Sequence, residues 1–157
     1  MGASLRGTSG QNNTFKGLAP GTRRSQGWFY TVAGGREQDP IKQVVLAESA
    51  IDVLSYQTLH PPEEKTLYLS TDGVGYVPLE QLQQLPQITI ALDQDQAGEE
   101  RGERLRQDLP QAKRHASTNK DWNEDLKAYL EASQQQMRER QQWMEEQTQK
   151  RGFGLGH

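Results

Sequence analysis

Three acidic side chains in the middle of the chain have a spacing that suits chemistry with a metal ion. Glu48 directly follows the apolar run 44–47, and Asp93 and Asp95 directly follow the run 88–92. Converging carboxylates repel one another unless a divalent cation or a raised pKa offsets their charge. An Asp-x-Asp pair suits Mg²⁺ or Mn²⁺, which retain several waters and take further ligands from phosphate. The pattern therefore predicts a magnesium or manganese site.

A purely structural role is the alternative for each of these carboxylates. Asp and Glu are common at helix N-termini, where they accept hydrogen bonds from free backbone N–H groups and interact favourably with the helix dipole. For a single acidic residue after a strand, this interpretation is the stronger one. Glu48 together with Asp93 and Asp95, on two separate apolar runs, favours the metal site.

The composition excludes most other kinds of metal or nucleophilic site. The 157 residues include no cysteine, which rules out a disulfide framework, a cysteine-ligated zinc ribbon, an iron–sulfur cluster and a thiol nucleophile. The three histidines, at positions 60, 115 and 157, are too few and too scattered to favour a histidine-rich site. A hard cation held by carboxylates is the metal site that remains.

Alternating strands and helices must position these carboxylates. Strands are predicted at 44–47, 66–70, 88–92 and 113–116, and helices after Ser49, over 79–85 and over 97–109. This alternation predicts an α/β fold with a mostly parallel, Rossmann-like sheet of four strands, flanked by helices. Ligands of such sheets bind outside the carboxyl ends of the strands. Glu48 and the Asp93–Asp95 pair are therefore expected at one edge.

The chain is expected to divide into three parts. Residues 1–27 are rich in Gly, Ser, Thr and Asn and predict an extended or partly disordered lead-in. Residues 28–130 form the packed domain and begin with a β-prone run over 28–32, a short strand or hairpin arm. Residues 131–157 are rich in Gln, Glu and Arg and predict a polar helix with a flexible tail.

The net charge of −3 is distributed unevenly along the chain. Residues 44–100 carry ten acidic side chains and one basic side chain, whereas both flanking segments have a basic excess. An acidic centre between basic flanks suits a cation site beside an anion-binding surface. Since no apolar run reaches the roughly 18 residues of a membrane span, we expect a cytoplasmic protein without a membrane partner.

The strand-end motifs resemble those of the Toprim domain, which occurs in bacterial-type primases, type IA and type II topoisomerases and OLD-family nucleases. The resemblance rests on residues 46–54 (LAESAIDVL), 90–98 (IALDQDQAG) and 120–126 (KDWNEDL), and on Arg6-Gly7-Thr8, Phe15-Lys16-Gly17 and residues 21–29 of the lead-in. The lead-in is similar to that of primase-like Toprim proteins of plasmids and other mobile elements. The resemblance implies a Toprim domain with a divalent-metal site.

The resemblance assigns roles to individual carboxylates. Glu48 takes the position of the family's glutamate, a general acid/base or metal ligand, and Asp93 and Asp95 take the metal-binding Asp-x-Asp positions. Asp52 matches an acidic position one helical turn after the glutamate in primase-like members and is a further candidate metal ligand. All of Glu48, Asp93 and Asp95 are thus candidate catalytic residues.

Two positions depart from the family pattern, and both lie beside the predicted metal. Ser49 stands where replicative primases usually have a glycine after the glutamate. Gln94 stands where a glycine usually lies inside Asp-Gly-Asp. Both departures add a side chain near the predicted metal, so they bear on catalysis more than on metal binding.

The function implied is Mg²⁺- or Mn²⁺-dependent phosphoryl transfer on DNA, primase-like or nuclease-like, in plasmid or mobile-element replication or mobilisation. Arg23 and Arg24, which precede aromatic residues 28–30, and Lys120 are the candidate contacts to DNA, with single-stranded DNA the better match. Replication or mobilisation proteins are further candidate partners. The alternative is a non-catalytic module that binds nucleic acid or a replication protein. A phosphatase using Asp93 fits poorly, because such enzymes place Asp-x-Asp after their first strand.

Overall fold

The computed structural model describes residues 4–6, 16–18, 20, 28–72 and 77–153. Within them the chain alternates between strands and helices, as the sequence predicts. The strands are β1 (Ser4–Arg6), β2 (Lys16–Leu18), β3 (Tyr30–Ala33), β4 (Gln43–Ala47), β5 (Thr66–Ser70), β6 (Gln87–Ala91) and β7 (Ala112–Arg114), and the helices are α1 (Ala50–Leu59), α2 (Leu79–Leu82), α3 (Gln96–Asp108) and α4 (Trp122–Phe153).

The central sheet has five strands in the order β3-β5-β4-β6-β7. The pairs β4–β5, β4–β6 and β6–β7 are parallel, which confirms the predicted mostly parallel sheet. The prediction of four strands is one short, because β3 pairs antiparallel with β5 and extends the sheet at its edge. The β-prone run after Trp28 thus forms an edge strand of the core sheet.

Alternating side chains of the sheet supply two hydrophobic layers, one on each face. Val44 and Leu46 of β4 point into the layer covered by α2 and α3, whose core residues include Leu82 and Leu105. The next residues along the strand, Val45 and Ala47, face the layer covered by α1 and α4. Both faces of β4 are therefore buried, which explains its continuous apolar sequence.

Helix α4 has 32 residues and begins against the core. Its first residue, Trp122, is buried, and the Trp122 Nε1–H group donates a hydrogen bond of 2.9 Å to the carbonyl of Ala91 in β6. Farther along, Met137 and Trp143 are exposed, as expected for a polar helix. The helix continues through residue 130, so the predicted boundary between packed domain and polar extension lies within one element.

The lead-in contributes a second, two-stranded sheet in which β1 and β2 pair antiparallel. The remaining predictions for residues 1–27, including the partly disordered lead-in, fall outside the described residues. Across the described residues, no helix combines the length and the apolar character needed to span a bilayer.

Candidate metal centre

The candidate site lies at the carboxyl ends of the three central strands. Ala47, the last residue of β4, pairs with Ser70 of β5 on one side and with Ala91 of β6 on the other. The three strands therefore end at the same level, and the residues that follow them share one edge. Glu48 and Asp93 lie at this edge, as the parallel topology predicts.

Asp93 has the most unusual environment of the candidate ligands. Its Oδ1 atom is buried and has no hydrogen-bond partner among the described residues. Burial, followed by repulsion from the carboxylates of Glu48, Asp52, Asp121 and Asp95, raises the pKa of Asp93 to about 7. A buried oxygen without a donor, surrounded by negative charge, is an environment that a cation would stabilise.

Glu48 is held by an arginine from α3. The Nη2 atom of Arg101 lies 2.7 Å from Oε2 of Glu48, and the two side chains are only 16% and 21% exposed. Strand alternation explains the direction of Glu48: it continues the register of Val44 and Leu46, which face α3. Asp93 continues the alternation of β6 on the opposite face, since Ala91, two residues earlier, faces α1 and α4.

Asp95 and Asp52 both take part in helix capping. The carboxylate of Asp95 accepts a 2.7 Å hydrogen bond from the backbone N–H of Gly98 and caps α3. Ser49 caps α1, and its hydroxyl donates to the Asp52 carboxylate at 2.5 Å. Burial raises the pKa of Asp52, and the nearby carboxylates of Asp121 and Glu48 raise it further, while the Ser49 hydrogen bond opposes them.

The cap at Ser49 gives one departure from the family pattern a physical role. Ser49 accepts a hydrogen bond from the backbone N–H of Asp52 as well as donating to its side chain. A glycine at this position would provide neither contact, so the serine stabilises the start of α1. The exposed Gln94, the other departure, ties its loop to the one before α4, since its backbone N–H donates to the Lys120 carbonyl at 2.8 Å.

The predicted ligands thus share one edge but are engaged with protein partners. In the described part of the chain, no three His, Asp or Glu side chains are arranged as a ready metal-binding group. Glu48 is held by Arg101 and Asp95 caps α3, whereas one oxygen of Asp93 has no partner. The carboxylate donors and the uncompensated charge around Asp93 fit a divalent cation.

Several residues that shape this edge were not predicted from the sequence. Arg114 of β7 donates from Nη1 to the Leu92 carbonyl at 2.8 Å and from Nη2 to the Asp93 carbonyl at 3.0 Å. Asp121 adds negative charge near Asp93 and caps the first turn of α4 by accepting from the backbone N–H of Glu124. Asp121 lies in the segment 120–126, on which the family resemblance partly rests, so the sequence contained a signal for it. No local sequence pattern marks Arg114 or Arg101.

Of the predicted nucleic-acid contacts, only Lys120 is among the described residues. Lys120 is exposed, and no carboxylate of the described residues lies within ion-pair distance of it. The nearby Glu124 is paired with Lys127 at 2.7 Å. Arg23 and Arg24 lie outside the described residues.

Comparison with known proteins gives one family match and structural neighbours. A family model described as Toprim-like matches residues 45–126, slightly more than half of the chain. This range spans β4 to the first turn or two of α4 and includes Glu48, Asp93 and Asp95. No curated protein matches the chain significantly.

Two solved structures of bacteriophage T7 proteins are similar to the chain. A structure of the T7 lagging-strand DNA polymerase with primase domains bound to an RNA/DNA hybrid and dTTP matches with a TM-score of 0.51 and 22% identity, over 80% of this chain and 64% of that chain. The primase fragment of the T7 primase-helicase matches with a TM-score of 0.42 and 24% identity, over 62% of this chain and 43% of that chain. The chain thus spans less than two thirds of either neighbour, and the likeness concerns the fold.

Proposed function

Since the chain belongs to the Toprim-like family, we propose that it binds Mg²⁺ or Mn²⁺ and acts on DNA by metal-dependent phosphoryl transfer. The proposed reaction is primase-like or nuclease-like. The proposed setting is replication or mobilisation of plasmids or other mobile elements, which the resemblance of the lead-in supports. Glu48, Asp93 and Asp95 would hold the ion, with Asp52 as a further ligand.

The environment of Asp93 is the observation that carries the proposal. Its pKa is raised to about 7 by burial and by four neighbouring carboxylates, and its Oδ1 atom has no donor in the described part of the chain. Such a group destabilises the folded protein at neutral pH unless a cation compensates. A carboxylate that destabilises the folded protein in this way is typical of a functional site, because a neutral residue would serve a purely structural position better.

The chain's own residues would divide the work at this edge. Asp93 would bind the ion through the oxygen that lacks a partner, and Asp95 would bind it through the oxygen that does not cap α3. Glu48 would serve as ligand or general acid/base once its oxygen leaves Arg101. A bound divalent ion stabilises the negative charge that develops on the transferred phosphoryl group.

DNA is the proposed substrate, with single-stranded DNA the better match. Lys120 is exposed and lies just before α4, where its carbonyl accepts a hydrogen bond from the backbone N–H of Gln94. Its ammonium group would contact a phosphate that approaches the predicted metal. Arg23 and Arg24 are further proposed contacts to the backbone. The neighbour with primase domains is bound to an RNA/DNA hybrid and dTTP, which supports a nucleic-acid partner for this fold.

The test combines metal binding with DNA chemistry. Wild type, Asp93→Asn and Glu48→Gln are titrated with Mn²⁺ and then incubated with single-stranded and supercoiled DNA, nucleotides and Mn²⁺. We expect Asp93→Asn to weaken Mn²⁺ binding about tenfold or more, and both variants to lower nicking or primer synthesis on the order of 100-fold. Asp108→Asn, which changes an exposed carboxylate at the far end of α3, is the matched control.

A non-catalytic module is the second candidate, and the Glu48–Arg101 ion pair favours it. With Glu48 neutralised by an arginine, the domain can bind nucleic acid or a replication or mobilisation protein without a metal ion. DNA binding that persists in Asp93→Asn and Glu48→Gln, with no strand cleavage or synthesis by wild type, would establish this function and contradict the catalytic one.

A further inference from the structure

We propose that Arg101 competes with the divalent cation for Glu48, so that metal binding requires the ion pair to open. The inference rests on the proposed metal site and names the residue that regulates it. Arg101 lies on α3, on the opposite side of the site from Asp52 and α1. It is neither a predicted ligand nor part of the motifs from which the family is recognised.

The Glu48–Arg101 pair is more deeply buried than the other ion pairs of α3, each of which has at least one side chain that is more than half exposed. Arg104 and Glu100 are separated by 3.9 Å and are 72% and 56% exposed, as is usual for a surface helix pair of little energetic value. Arg101 and Glu48 are separated by 2.7 Å, and both side chains are largely buried. Their interaction is screened less by water, so a competing cation must overcome it.

The guanidinium of Arg101 is also held in place by its own helix. Its Nε–H group donates to the Ala97 carbonyl at 3.1 Å, one turn earlier in α3, while Nη2 reaches Glu48. The first turn of α3 is capped by Asp95, so the arginine and the Asp93–Asp95 loop are positioned by the same helix end. A cation at this loop would therefore meet the positive charge of Arg101.

A divalent ion would neutralise more of the negative charge at this edge than Arg101 does. Arg101 supplies one positive charge to an edge that carries Glu48, Asp93, Asp95 and Asp121. A divalent ion would supply two, and Glu48 and the Asp93 oxygen that has no partner in the described part of the chain would hold it. The guanidinium of Arg101 would then be free to donate hydrogen bonds to a phosphate.

The test is Mn²⁺ affinity in arginine variants, measured by titration with electron paramagnetic resonance detection. Arg101→Gln should bind Mn²⁺ about three- to tenfold more tightly than wild type, because the competing charge is gone. Arg101→Lys, which keeps the charge, should remain near wild type, and Arg104→Gln controls for the loss of any positive charge on α3. In a Glu48→Gln background, where no carboxylate is left to compete for, Arg101→Gln should tighten binding less than it does in wild type.

Each outcome separates this inference from the proposed function. Unchanged or weaker Mn²⁺ binding by Arg101→Gln, with clear binding by wild type, overturns the competition and leaves the metal site standing. If neither protein binds Mn²⁺, the proposed function fails and the inference fails with it. Mn²⁺ binding by wild type that becomes tighter in Arg101→Gln supports both.

A second measurement covers a variant that does not fold. Titration of folded wild type with Mg²⁺ should shift the side-chain Nε–H resonance of Arg101 and leave that of Arg104 in place. Saturation with Mg²⁺ that leaves the Arg101 resonance unmoved means that the ion pair stays closed, and this result also overturns the inference.

Discussion

Asp93 is the residue at this site whose ionised form the folded protein disfavours most. Its carboxylate is partly buried, lies near four other carboxylates and has an oxygen without a donor in the described part of the chain. Because the folded protein raises the pKa of this group from 3.8 to about 7, the folded state holds the proton more tightly than the unfolded state. The resulting stabilisation is complete below pH 3.8 and is lost as the pH rises to about 7.

We therefore expect Asp93→Asn to be more stable than wild type at pH 8 in the presence of EDTA. The gain in the free energy of unfolding should be about 1 to 2 kcal/mol, less than the full linkage value because the carboxylate retains contact with water. The difference should shrink as the pH falls and disappear below the unfolded-state pKa of 3.8, where Asp93 is protonated in both states. Urea unfolding of both proteins across this pH range is the measurement.

Asp108→Asn controls for the loss of an exposed carboxylate and should change stability by less than about 0.5 kcal/mol. An Asp93→Asn variant that is less stable than wild type at pH 8 would contradict the predicted electrostatic cost.

At the scale of elements, the turn from β6 into α3 is fixed by backbone contacts on two sides. A Cβ atom at Gly98 would lie 2.1 Å from the Asp93 carbonyl oxygen, so the helix approaches the loop as closely as only glycine permits. On the other side, Arg114 donates to the Leu92 and Asp93 carbonyls. The direction of the Asp93 side chain depends on both contacts.

Gly98→Ala should consequently damage the fold and the site together. We expect a loss of about 2 to 3 kcal/mol in the free energy of unfolding, because the backbone of the loop or the helix must move. In the fraction that folds, Mn²⁺ affinity should fall, since Asp93 and Asp95 lie on the displaced loop. Urea unfolding and Mn²⁺ titration give the two quantities.

Gly102 offers a control one turn later in the same helix. A Cβ atom there would meet Cγ2 of Ile90 at 3.6 Å, an ordinary contact, and alanine favours the helix by about 1 kcal/mol. Gly102→Ala should be neutral or stabilising. Equal behaviour of the two variants would show that the close approach at Gly98 does not constrain the loop.

At the scale of the whole molecule, the core depends on the first turn of α4 and not on its long polar extension. Trp122 is buried and bonded to the Ala91 carbonyl, and it contacts Tyr56 of α1 with ring centroids 4.7 Å apart. Met137, Trp143 and Met144 are 59%, 61% and 46% exposed. Burial along α4 is therefore concentrated in its first turns.

A chain truncated after Ser133 should keep its fold. We expect its free energy of unfolding to remain within about 1 kcal/mol of the full chain, because few buried contacts are removed. Thermal unfolding and the dispersion of the amide spectrum test this. Truncation after Asp121, which removes Trp122, should abolish cooperative unfolding. A comparable loss in both truncations would assign the polar extension a role in the core.

The sequence alone determined the layout of the fold. Apolar runs at 44–47 and 88–92 predicted buried parallel strands, since a strand covered on both faces needs apolar residues at every position. The place of β3 stayed open between a short strand and a hairpin arm, because a β-prone run does not specify its partner, and β3 pairs with the distant β5. That Glu48 and the Asp93–Asp95 pair lie at one edge of the sheet followed directly from its parallel topology.

Tertiary structure alone decided which of these carboxylates are engaged by protein partners. Arg101 is 53 residues away from Glu48 along the chain, and their ion pair depends on how α3 packs against β4. The pKa of Asp93 depends in the same way on Asp52 and Asp121, which α1 and the start of α4 bring to it. Local patterns fix which residues end a strand, whereas electrostatic partners are set by packing between distant segments, and no sequence period records them.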